Sequence, residues 1–307
     1  MTVRPAAQRL GSNMRCGERR SGAGKKQKAK GGGKGAERSG LRRAGSTPDG
    51  KDAPRAHTHF QIDRFRRAPV LSILWRLGAD VIKFTATAGV LSEEESVGAP
   101  QFSFDEMKAI VDEAAMWGRK VAAHAHGTDG IKRAVRAGVA SIEHGSLLDD
   151  EAVALMKQRG TFLVPTVYVG ESVMQNGQRW GLPEKLLAKA RLINAQKNES
   201  MRKAIRGGLK IAYGTDAGVF AHGLNASDFR LLVDLGMTPM QAIQSATMVA
   251  ADLLGQTNRL GSLKPGGFAD LVAVPTDPLQ NISVLEKVPF VMKGGTVYKD
   301  TITGKRK

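Results

Sequence analysis

Residues 120–160 read KVAAHAHGTDGIKRAVRAGVASIEHGSLLDDEAVALMKQRG, and the fold turns on this stretch. KVAAHAH (120–126) is a short run of small and apolar residues and reads as a buried strand. DGIKRAVRAG (129–138) then places apolar residues at helical spacing and stops at a glycine. The pattern repeats at once. SIEHG (141–145) is a second strand, and DDEAVALMKQRG (149–160) is a second helix, opened by acids and closed by glycine. Successive strand–helix units are the signature of a parallel sheet.

Working outward, the same alternation holds on both sides. ADVIKF (79–84) reads as a strand and FDEMKAIVDEAAMWG (104–118) as an amphipathic helix. Downstream, TFLVPTVYV (161–169) reads as a strand, followed after a loop by a long helix over 183–207. LKIAYGTDAG (209–218) reads as the fifth strand, followed by helices over 227–236 and 238–255. Past residue 258 the texture shifts to Gly/Pro turns and short strands, GSLKPGGFADLVAVP (261–275) and VPFVMKGGTVYKD (288–300), which predict a small β layer. The fold class expected is therefore α/β.

Composition narrows the function. The chain has 307 residues, and no apolar run long enough to cross a membrane as a helix. Its single cysteine, Cys16, excludes a disulfide framework and a cysteine-rich zinc site. The net charge of +17 is concentrated: residues 1–56 hold 15 Lys/Arg against 4 Asp/Glu, and eleven glycines. Such a stretch buries too little apolar surface to offset its ordering entropy and is expected to be disordered. It has no signal-peptide apolar core, which points to a cytoplasmic location. Nucleic acid is not the expected partner, because no aromatic interleaves the basic residues to stack on bases.

The chemistry lies at strand ends. The five strands end with Lys83, His124 (His126 two further on), His144, Pro165-Thr166 and Asp216. In a parallel barrel these ends converge on the face where active sites are built. Two imidazoles and a carboxylate from separate strands suit a divalent cation of the zinc type. One histidine ending a buried strand is more often a packing residue. The same placement of histidine, histidine and aspartate on three strands is harder to reach by accident, and an unpaired carboxylate after a hydrophobic strand is costly to bury.

GADVIKFTATAGVLS, VAAHAHGTDGI, ASIEHGSLLDDE, GTDAGVFAHGLNASD and GSLKPGGFADLVAV together resemble the amidohydrolase superfamily, in its imidazolonepropionase-like and Xaa-Pro dipeptidase (prolidase) branch, over roughly residues 76–303. The resemblance implies a (β/α)8 barrel of the TIM type holding one or two divalent metal ions, zinc by expectation. It implies Lys83, carboxylated, as a bridge between metals, and His124, His144 and Asp216 as further metal ligands. Asp216 would also be the catalytic acid–base, moving a proton from the attacking water to the leaving group. His126, Tyr168 and His222 would touch substrate; for the last two, a rim position with no role is an equal alternative. The alternative for Lys83 is a stem packed on the barrel rim with its amine in water.

His57 and His59 supply a candidate HxH pair for a first barrel strand, yet only about 20 residues separate them from ADVIKF. APVLSILWRLG (68–78) fits one helix. The expected barrel is therefore partial, with strands four to eight present and two and three missing. The expected division is a basic tail over 1–56, an incomplete barrel over 57–258 and a β-sandwich remnant over 259–307. The function expected is metal-dependent hydrolysis of an amide-like C–N bond in a Xaa-Pro dipeptide, an N-acyl amino acid or a cyclic amidine, by metal-activated hydroxide. A small-molecule substrate is the expected partner, and a homo-oligomer stays open. Two alternatives stand beside this one: a catalytically inactive truncated homologue, and a nucleic-acid-associated protein acting through the basic tail.

Overall fold

A computed structural model of the chain describes residues 78–94 and 96–302. His57, His59, the basic tail and nearly all of the 68–78 helix lie outside the described residues. Four strands form a parallel sheet in the order of the chain: β1 (Val81–Thr85), β2 (Lys120–Ala125), β3 (Ser141–His144) and β4 (Phe162–Val164). Between them run α1 (Phe104–Met116), α2 (Thr128–Ala137) and α3 (Asp150–Arg159). The helix ends follow the local chemistry. Ser103 and Glu106 close a capping box at the start of α1, Asp149 caps α3, and left-handed glycines Gly138 and Gly160 end α2 and α3.

Alternation along the strands sorts core from site. Ile82 and Phe84, Val121 and Ala123, and Ile142 and Leu163 are buried in one continuous apolar cluster with Met107, Ile131 and Met156 of the helices. Lys83 pairs with Ala122, and His124 pairs with Glu143, so these residues share the opposite face. Close glycines lock the connection after β2. A Cβ on Gly127, which opens α2, would stand 2.6 Å from the Gly98 carbonyl oxygen and 2.7 Å from its Cα. Gly127→Ala is therefore expected to destabilise the fold by about 2–3 kcal/mol, the upper part of the over-packing range, read as a lower urea midpoint with an unchanged slope.

Three expectations need correction. The strand predicted over 161–169 stops at Val164, and α4 (Val167–Asn176) begins three residues later. Pro165 lacks a ladder N–H, and Thr166 turns the chain at φ 49, so the β-branched run beyond is helix. The fifth strand, 209–218, is reduced to one parallel bridge, Leu163 to Ile211. Beyond it the Tyr213 N–H bonds to the Ser245 carbonyl, leaving the sheet. The helix predicted over 238–255 is two helices, α7 (Pro239–Ala246) and α8 (Met248–Leu253), broken at Thr247 with φ −119 and ψ −88. The long helix α5 (Glu184–Arg206) and α6 (Ser227–Asp234) match their expected spans.

The C-terminal β layer is a three-stranded antiparallel sheet of β5 (Leu271–Ala273), β6 (Phe290–Lys293) and β7 (Thr296–Asp300). Gly294 and Gly295 join β6 to β7, both at positive φ, which a two-residue type I′ hairpin turn demands. No helix among the described residues is long and apolar enough to cross a membrane.

Candidate metal centre and its support

His124, His126 and His144 come together at the ends of β2 and β3, with one nitrogen of each within 4.8 Å of the others. The His126 and His144 rings stack at 4.9 Å, and the His124 ring stands edge-on to both. Strict alternation would turn His144 to the core side with Ile142. Its backbone instead adopts φ 74, a left-handed conformation uncommon outside glycine, and the side chain joins the site.

Hydroxyls fix two of the rings. Ser146 Oγ lies 2.7 Å from His126 Nδ1, and Thr166 Oγ1 lies 2.7 Å from His144 Nδ1, which leaves Nε2 of each ring as the nitrogen for other work. The Thr87 hydroxyl accepts the His126 backbone N–H at 2.9 Å. His124 Nε2 is buried and has no hydrogen-bond partner. Gly89 lies over it, and a Cβ there would approach that nitrogen to 3.2 Å.

Burial keeps the rings neutral. It lowers His124 to about pH 4, with the Lys83 ammonium adding to the shift. His126 and His144 fall well below their ordinary value, chiefly by burial and then by neighbouring imidazoles and Lys197. Neutral imidazole is the form that binds a cation.

The sign of the pH effect follows. Unfolded histidines take up protons near pH 6.5, whereas folded His124 does so only near pH 4. Acidification through that window therefore favours the unfolded chain, by up to about 1.4 kcal/mol per pH unit per imidazole. The thermal midpoint of metal-stripped protein is expected to fall from pH 7 to pH 5, and to fall less steeply in His124→Gln. Equal slopes in the two proteins would refute the burial of a neutral His124.

A small cavity of about 130 Å³ adjoins the cluster at His144. Lys83, Glu143, Thr166 and Asp216 share its lining with His144. Asp216 is exposed and sits at φ 53. Sequence reasoning missed Glu143, although its alternation parity with His124 could have revealed it. Burial raises the Glu143 carboxyl, while a 2.6 Å hydrogen bond from the Ser141 hydroxyl opposes the rise. Tyr168 is buried edge-on to Phe220 at 4.8 Å, and His222 is exposed; neither lines the cavity.

Residues 67–306 match the Amidohydrolase family, and the chain belongs to it. It is 38% identical over 244 residues to ochratoxinase from Aspergillus niger, across 78% of this chain and 50% of that protein. A solved structure of a Xaa-Pro dipeptidase with methionine in its active site is similar at 47% identity and a TM-score of 0.70, over 73% of this chain and 56% of that one. Imidazolonepropionase from Cutibacterium acnes is 26% identical over 164 residues, 52% of this chain and 36% of that protein. The chain thus spans about half the length of the ochratoxinase it matches.

Proposed function

We propose that this chain hydrolyses an amide-like C–N bond with a divalent cation, zinc by preference, held at the histidine cluster. The observation that carries the reading is the orphaned, buried His124 Nε2 inside a cluster of neutral imidazoles. A buried polar atom left without a partner is disfavoured, and a cation offers it one. His124 and His144 would hold the cation, with Asp216 and, once carboxylated, Lys83 of the adjoining cavity as further ligands. Bound there, the cation supplies a Lewis acid and a nucleophilic oxygen at neutral pH.

The chain's own residues do the rest. Asp216, on the lining of the cavity, accepts the proton of the attacking water and passes it to the departing nitrogen. His126, stacked on His144, would contact substrate, as would Tyr168 and His222. Among substrates, a Xaa-Pro dipeptide comes first, since a solved Xaa-Pro dipeptidase is similar over 73% of this chain, and an N-acyl amino acid stands second. The test is turnover by the zinc-loaded full chain of a Xaa-Pro dipeptide, an N-acyl amino acid and a cyclic amidine. Hydrolysis of one of the first two supports the reading. A zinc-loaded chain inert toward all three refutes it and favours a catalytically inactive homologue.

A further inference from the structure

The α5 helix reaches the site twice, at positions one helical turn apart. Lys197 Nζ donates to the Thr166 carbonyl at 2.8 Å, and the hydroxyl of Thr166 lies against His144 Nδ1. Ser200 Oγ donates to the Ser146 carbonyl at 2.7 Å, and the hydroxyl of Ser146 lies against His126 Nδ1. The two relays have the same design. A side chain of α5 holds the backbone carbonyl of a hydroxyl residue, and that hydroxyl meets an imidazole Nδ1.

Neither arrangement is cheap. Lys197 is 6% exposed, so its ammonium is buried. Thr166 is β-branched and sits at φ 49, a strained conformation that persists only where its surroundings over-determine it. Its hydroxyl, at the N-cap position of α4, makes no cap bond to that helix. Asp228 of α6 takes over instead and accepts the Tyr168 N–H at 3.0 Å. Thr166 is thereby freed to face His144.

We infer that Lys197 and Ser200 are positioning residues, which through Thr166 and Ser146 hold His144 and His126 as Nδ1–H tautomers with Nε2 directed into the cluster. The inference rests on the metal-hydrolase reading for its purpose, but its geometry can be tested without metal. Nitrogen-15 spectra of the metal-stripped full chain read each imidazole's tautomer, and titration with Co2+ reads affinity.

In the parent, His126 and His144 should be almost wholly Nδ1–H. Lys197→Met should turn His144 into a tautomer mixture and weaken Co2+ binding about tenfold, the lower end of the effect of losing an outer partner. Ser200→Ala should do the same to the His126 tautomer, and Ser200→Thr, which keeps the hydroxyl, should restore it. If Lys197→Met does not fold, the Ser200 pair decides the matter. Folded variants with parental tautomers overturn the inference, even where Co2+ binds less tightly, because the residues would then act as general stabilisers. A parent chain that binds no Co2+ overturns the proposed function instead, and the tautomers still judge the brace.

Discussion

Replacing Asp216 with asparagine is expected to lower amide hydrolysis by about 100-fold or more, the contribution of a well-placed acid–base group, with the thermal midpoint close to the parent's. The backbone explains why the fold should survive. Asp216 adopts φ 53, and asparagine enters that left-handed region as readily as aspartate. The residue is exposed at a cavity it shares with Lys83 and Glu143, and asparagine keeps its size there. What disappears is the group that we propose takes and returns the proton. Steady-state kinetics on the substrate found for the parent check this, with a melt on the same sample. A variant that keeps parental turnover removes Asp216 from the chemistry.

The second large effect is on metal affinity. His124→Ala should weaken Zn2+ binding by more than the roughly 10–100-fold that follows loss of an outer-shell partner, because it deletes what we propose is a direct donor. His124 Nε2 has no other task in the structure: it is buried, unpartnered and covered by Gly89. Competition against a chelator of known affinity provides the measurement. Parental affinity in a folded His124→Ala protein would move the cation away from the cluster.

Much of this was legible in the sequence because periodicity reports burial. The alternation in KVAAHAH and SIEHG placed β2 and β3, and with them His124 and His144 at strand ends. The errors have local physical causes. Val167, Tyr168 and Val169 look like strand, yet they open a helix whose N–H donors are met by Asp228, sixty residues away. Nothing near Thr247 in the sequence signals the backbone twist that splits the 238–255 helix.

The brace on α5 was hidden for a related reason. A lysine on an amphipathic helix reads as solvated, and only the packed structure shows Lys197 buried against Thr166. His126, read from sequence as a substrate contact, is also a member of the imidazole cluster. His57 and His59 lie outside the described residues, and we propose them as further donors only on the strength of their HxH spacing.

Dependence of turnover on a removable cation tests the central claim most directly. The full chain should hydrolyse its amide substrate, lose that activity on chelation and dialysis, and regain it when Zn2+ is returned in amounts stoichiometric with protein. Turnover that persists in protein shown by elemental analysis to be metal-free would contradict the account, as would a chain that binds Zn2+ at His124 and His144 and hydrolyses no amide offered to it.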